Sequence, residues 1–283
     1  MNPLATFEAR SQTRSAVAGT AHLRFVRSGS QTIVERSFAS SPVKLFSTRT
    51  SGQSCRVYSA TLGGGLVGGD AVRMTLELAK GARALLLTQA STKVYRSLRP
   101  ASQFISAVIE DDAVLAMVPD PIVCFARADF SQEQRYELTN NANLVAVDWM
   151  TSGRHASGER WVFTRYSSRL DVRRGGRRIL YDGLLLEEET VSIAERLRGF
   201  EVYVTVVVTG PLVSASARDL VHTASQLPVS TRPDMIESAS SLADGGAILR
   251  IAGVNLEQVA QILRDKLAFL HPLLGDDPWS RKW

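Results

Sequence analysis

The chain predicts a mainly β fold, with many short strands in a large layered β architecture and two helices in the C-terminal third. Three observations carry this. Short apolar runs follow one another from Ala21 to Thr209, and several alternate polar and apolar residues with the period of a half-buried strand. Turn pairs such as Lys80-Gly81, Asp111-Asp112 and Gly175-Gly176 separate them at short intervals. Clear helical spacing is confined to two stretches, both after Gly210.

Taken in order, residues 1 to 20 are polar and small and read as a loose N-terminal arm. Strand-like runs then cover His22 to Arg27, Thr32 to Phe38, Val43 to Ser47 and Cys55 to Leu62. A glycine-rich turn follows, built from Gly63, Gly64, Gly65, Gly68 and Gly69 and closed by Asp70. Glycine there allows φ > 0 or close backbone approach. Val72, Met74, Leu76 and Leu78 alternate as a half-buried strand, and Ala84 to Leu87 form a continuous apolar run. That run ends in TQASTKVYRS, where Thr88, Gln89, Lys93 and Tyr95 bring an amide, hydroxyls and a cation to one place.

Further strands are expected at Phe104 to Glu110, Ala113 to Val118, Phe130 to Leu138 and Leu144 to Met150. Trp161 to Tyr166, Arg169 to Arg173, Arg177 to Tyr181 and Leu184 to Glu188 continue the series, with Gly175-Gly176 as a hairpin signal. Glu201 to Thr209 is β-branched and reads as a buried strand, stopped by Gly210-Pro211. Ser216 to Gln226 has helical spacing, Ser238 to Gly246 reads as a small-residue loop, and Ala247 to Ala252 is one more strand. Asn255 is placed to cap a helix carrying Leu256, Val259, Ile262, Leu263, Leu267 and Leu270, ended by Pro272 and Gly275. Such a stripe packs on the sheet more readily than it awaits a partner. No repeat of fixed period is visible, so a strict solenoid is not indicated. All 283 residues are read as a single domain of a sandwich, barrel or related type.

Composition narrows function mainly by exclusion. Hydrophobic residues make up 45% and charged residues 22%, ordinary for a globular protein. The net charge of +5 is dispersed, and the Arg173, Arg174, Arg177, Arg178 cluster reads as a solvated hairpin tip. No interleaved aromatics suggest a nucleic-acid surface. Cys55 and Cys124 do not make a disulfide framework, which fits a reducing cytoplasmic compartment. MNPLATFEAR contains Glu8 and lacks an apolar core, so no signal peptide is expected, and no apolar run reaches the ~18 residues of a membrane helix.

Catalytic signatures are weak. Gly63, Gly65 and Gly68 match G-x-G-x-x-G, but a strand rather than a helix follows, and no acid stands ~20 positions on. Asp70 and Ala71 stand where a P-loop needs Lys and Ser/Thr. No two of His22, His155, His222 and His271 share metal-ligand spacing; His155, near Glu159, is the one of interest. What remains are carboxylates in special settings: Asp70 after the glycine turn, Glu159 after Gly158, and Asp182, Glu187, Glu188 and Glu189 flanking an apolar strand. Asp70, Glu159 and Glu187 are the candidate metal ligands, weighed against ordinary turn caps and surface acids.

GGGLVGGD followed by TQASTKVYRS resembles the paired signature of the urease accessory protein D family (UreD, also UreH). Pro119-Asp120-Pro121, then Cys124 to Ala128, resemble its proline turn and following strand. Gly153-Arg154 with Gly158-Glu159 resembles its GR…GE segment, and Arg173, Gly175 and Asp182 its hairpin. The resemblance runs from about Tyr58 to Leu186. It implies a non-enzymatic scaffold that binds apo-urease and a UreF-type accessory protein, and through them a UreG-type GTPase. It also implies a β architecture with a water-filled passage for nickel, held transiently, with no tightly bound cofactor. Gly64, Gly65, Gly68, Gly69, Thr88, Gln89, Lys93, Tyr95 and Arg154 are the motif residues on which this rests. Two other readings stay open: an enzyme with a small ligand at the 63–70 turn, and an interaction protein with no metal role.

Overall fold

In the computed structural model, which describes residues 17–48, 52–154, 157–188, 191–231 and 233–280, two β-sheets face each other across a core. The described elements are 51% strand and 15% helical, so the mainly β expectation holds. The first sheet holds, in spatial order, β14 (Arg177–Glu187), β13 (Arg165–Arg174), β11 (Asp129–Leu138), β8 (Ala101–Ile109), β5 (Asp70–Leu78), β1 (Val17–Ser28) and β2 (Gln31–Ala39). The second runs β16 (Met235–Ser241), β17 (Ala247–Gly253), β15 (Val202–Thr209), β12 (Asn143–Thr151), β9 (Val114–Met117), β6 (Arg83–Thr88), β4 (Cys55–Thr61) and β3 (Val43–Thr48). The short β7 (Thr92–Val94) and β10 (Ile122–Cys124) extend it beside β12.

From β4 to β13 the chain winds as a coil, laying its strands alternately in the two sheets apart from the short β7 and β10, which follow β6 and β9 in the second. Neighbouring coils pair in parallel. Cys55, Ala84, Leu115 and Leu144 stand in one row, offset by 29, 31 and 29 residues. Ala71, Ser102, Ser131 and Ser167 stand in the facing row, offset by 31, 29 and 36. The rows repeat in space at offsets that vary from 29 to 36 residues, which is why no fixed sequence period is visible.

The second sheet is buried on both faces. Ala84, Leu86, Leu115, Met117, Leu144 and Ala146 point into the core between the sheets. Leu85, Leu87, Val114, Ala116, Val145 and Val147 point the other way, into a second core. A strand covered on both faces must be apolar throughout, which accounts for the continuous Ala84 to Leu87 run. The first sheet has a solvated outer face, so its strands alternate.

Among the described residues four α-helices lie in the C-terminal part: α1 (Ile193–Arg196), α2 (Ser214–Ser225), α3 (Leu256–Lys266) and α4 (Leu270–Leu274). Val259, Leu263, Leu267 and Leu270 pack into the second core, so the α3 stripe covers the sheet as expected. Asn255 Oδ1 accepts from the Gln258 amide at 3.0 Å, capping α3.

Several element boundaries differ from expectation. Of the loop expected from Ser238 to Gly246, the first four residues belong to an edge strand, β16, and only Leu242 to Gly246 form the turn. Trp161 to Phe163 precede β13 rather than belonging to it, and Trp161 takes φ 56°. Pro272 lies inside the short α4, and Gly275, at φ 68°, ends it. No helix among the described residues is long and apolar enough to cross a membrane. His155 and Glu189 lie outside the described residues.

Candidate functional site

The glycine turn is a packing device. The backbone of Leu66 exchanges hydrogen bonds with Lys93 and Tyr95, at 2.8 and 2.9 Å, and bridges to Val94. This seats the turn on the TQASTKVYRS segment. Gly65 faces the Lys93 carbonyl and the Tyr95 ring; a Cβ on Gly68 would stand 1.3 Å from Ser97 Oγ. Gly64 and Gly69 take φ of 73° and 89°. Asp70 closes the turn: its Oδ2 accepts from the Val67 amide at 2.8 Å.

Glu159 is likewise occupied. It accepts from the Ala126 amide and from Arg154 Nε, both at 3.1 Å, and a second Arg154 nitrogen binds its other oxygen. The Arg154 guanidinium holds the Glu159 carboxyl below the usual range. Arg154 also lies 4.4 Å from the centre of the Phe125 ring, which meets Tyr95 edge-on at 5.0 Å. Glu187 ends β14 opposite Arg165, and its carbonyl accepts from Arg196. Asp70 and Glu187 sit at the same end of the first sheet but four strands apart, roughly 19 Å at normal strand spacing. The structure does not bring Asp70, Glu159 and Glu187 together. Among the described residues no group of three or more His, Cys, Asp or Glu could hold a metal ion.

The structure instead gathers polar groups between the sheets. A cavity of about 150 Å³ begins where Gly64, Thr88 and the exposed Gln89 and Ala90 meet solvent. It runs inward past Met74, Ile105 and Met117 to Gln132, Gln134 and Asp148. At the mouth, Thr88 Oγ1 donates to Asp120 Oδ2 at 3.0 Å and accepts from the Asp120 amide at 2.6 Å. Trp149 Nε1 donates to the Pro119 carbonyl at 2.8 Å, fixing the proline turn over the same opening.

Asp148 is the hub. Its Oδ1 accepts from Gln132 Nε2 and its Oδ2 from Ser168 Oγ, both at 2.6 Å. Burial pushes its carboxyl up, and repulsion from Asp182 adds to this, against the opposing pull of those hydrogen bonds. The residue nevertheless keeps some accessible surface, because two cavities reach it. The second, of about 10 Å³, is lined by Tyr166, Ser168, Asp182, Tyr203 and Thr205 as well as Asp148. At its far side Asp182 Oδ1 accepts from Arg250 Nη2 at 2.6 Å. Asp120, Asp148 and Asp182 thus mark the mouth, middle and far end of one polar line. Residues singled out in the sequence that border it include Gly64, Thr88, Gln89, Pro119, Asp120 and Asp182; Asp70, Glu159 and Glu187 line neither cavity.

The full extent of the chain bears on what this line is for. A family model described as UreD urease accessory protein matches residues 17–283. The chain belongs to the UreD family. The match exceeds the Tyr58 to Leu186 span carried by the motifs and takes in the C-terminal helices. "Urease accessory protein UreD" of Sorangium cellulosum (strain So ce56) is 43% identical over 270 residues, 95% of this chain and 86% of that protein. A protein of the same name from Anaeromyxobacter sp. (strain Fw109-5) is 40% identical, over 93% of this chain and 89% of its own. "Urease accessory protein D" of Oryza sativa subsp. indica is 33% identical, covering 96% of this chain and 99% of the plant protein. A role in urease maturation is therefore supported across bacterial and plant relatives.

Asp148, Gln132 and Ser168 were not singled out by sequence reasoning, although signals existed. Asp148 is an acid inside the apolar run Leu144 to Met150. Gln132 and Gln134 occupy inward positions of a strand whose other inward residues are Phe130, Tyr136 and Leu138.

Proposed function

We propose that this protein is a non-enzymatic cytoplasmic scaffold for urease maturation that carries nickel as cargo between its two sheets. The observation that carries the reading is the line of oxygen donors from Thr88 and Asp120 through Gln132 and Asp148 to Asp182. A divalent ion in transit needs ligands that attract it and let it go. Carboxylate, amide and hydroxyl oxygens do this more readily than imidazole or thiolate. The apolar walls of Met74, Ile105 and Met117 lower the local dielectric, so a single Asp148 charge is felt along the cavity. In this reading the ends of the line meet apo-urease and a UreF-type accessory protein, which recruits a UreG-type GTPase. The glycine turn gives a nucleotide-like ligand little room, because Lys93, Tyr95 and Ser97 already pack against Gly65 and Gly68.

The test compares two sets of variants in the intact accessory complex. Asp148→Ala and Asp120→Ala should leave complex composition unchanged and reduce the nickel content and activity of urease at least tenfold. Asp70→Ala and Glu187→Ala, which lie off the line, should deliver nickel normally. Normal delivery by an intact Asp120/Asp148 double variant would leave only a scaffold with no metal role.

A further inference from the structure

The Gln132 amide lies against the Asp148 carboxylate and closes it. Its Nε2 carries two hydrogens and has three oxygens within reach: Asp148 Oδ1 at 2.6 Å, Ser168 Oγ at 3.0 Å and Tyr166 Oη at 3.2 Å. With Ser168 Oγ donating to Asp148 Oδ2, each carboxylate oxygen accepts one hydrogen bond from a side chain that stands against it. Among the described residues none donates to Gln132 Oε1. Gln132 itself is 5% exposed and lines the large cavity. The closed group stands where the large cavity meets the small one, so the line of oxygens is interrupted at this point.

We propose that Gln132 is a switchable ligand that gates passage at Asp148. It rests on the nickel-passage reading above and adds a residue and a step to it. At rest, the amide nitrogen caps Asp148 Oδ1 and presents a donor, which repels a cation. Turning the terminal amide by half a revolution exchanges Nε2 for Oε1. That torsion is broad and roughly two-fold in Gln, so the turn needs no movement of the backbone. The turned amide frees Asp148 Oδ1 and sets a neutral oxygen beside it, giving an arriving divalent cation two adjacent oxygen ligands. As the ion moves toward Asp182, the amide returns to the carboxylate and the path closes behind it. Gln134 is a poorer candidate for this role, because its Oε1 already accepts from Tyr136 Oη at 2.7 Å.

Three variants of the accessory complex, supplied with nickel chloride and apo-urease, decide the matter. Gln132→Met keeps the length and removes the amide, and should cut nickel delivered at least tenfold with complex composition intact. Gln132→Glu is isosteric but always presents oxygens, so it should retain nickel on the accessory complex through gel filtration, measured by atomic absorption. Asp148→Ala is the reference. If Asp148→Ala fails to deliver nickel while Gln132→Met delivers it normally, the gate is wrong and the passage stands. Normal delivery by Asp148→Ala overturns the passage and the gate together. Should Gln132→Met not assemble, Gln132→Glu decides alone: no retained nickel and normal delivery contradict the proposal.

Discussion

Asp148 is held in an environment that works against its charge, and this has a consequence for stability. Its folded pKa is raised above the ordinary carboxyl value, chiefly by burial. A raised value means that the stability it contributes is complete below the unfolded pKa and is lost as pH rises through the folded pKa. Asp148→Asn should therefore melt higher than wild type at pH 8, and the difference should vanish on the acid side; thermal melts across pH check this. Glu159 behaves oppositely. Its pKa is lowered, first by the Arg154 hydrogen bond, so its contribution is present above the unfolded value and lost as pH falls through the folded one. Glu159→Gln should lose a few tenths to about 1 kcal/mol at neutral pH, as a partly exposed pair does, and nothing in acid. The sequence made Asp70 and Glu159 conspicuous because they sit beside glycines. The same glycines mark turns, and turns need caps, so conspicuousness there reports local structure. Asp148 sits in no motif, and only its depth makes it unusual.

At the scale of elements, amphipathic periodicity was the most dependable guide. The α3 stripe of Val259, Leu263 and Leu267 is fully buried against the second sheet, as its spacing implies. Leu263→Ala should cost about 2–5 kcal/mol, read from denaturant unfolding, because the sheet beneath cannot close the gap. The strand β16 was missed for the converse reason. MIESASS lies on a sheet edge; Met235, Glu237 and Ala239 face the second core and the serines are exposed, but a Glu and an Ala among the inward positions and a single β-branched residue hide the alternation, and its ladder to β17 forms it. The glycine turn was legible as a turn, but its reason emerges only from what it packs against. Gly68→Ala would drive a methyl group onto Ser97, and Gly69→Val would strain a φ of 89° by about 1–3 kcal/mol. Both should lower the melting temperature and weaken association with the UreF-type protein proposed as partner; unchanged values for both would mark the turn as a tolerant loop.

For the whole molecule, the β class and layering followed from alternation and turn spacing, whereas the winding did not. Rows such as Cys55, Ala84, Leu115 and Leu144 share only the apolar character of any buried strand and stand at unequal offsets, so the coil leaves no fixed repeat in the sequence. The cavity between the sheets is a property of that winding. It exists because β11 and β12, distant in order from the glycine turn, turn Gln132 and Asp148 toward the space that opens beside Thr88 and Asp120, while β13 sets Ser168 on the small cavity beyond Asp148. The central claim is that an ion travels inside this space and not through bulk water. The measurement that tests it most directly is activation of apo-urease by a nickel-loaded accessory complex in the presence of a chelator that removes free nickel. The wild-type complex should still activate urease, and an Asp148→Asn complex of identical composition should fail. Equal activation by both complexes with the chelator present would contradict the account.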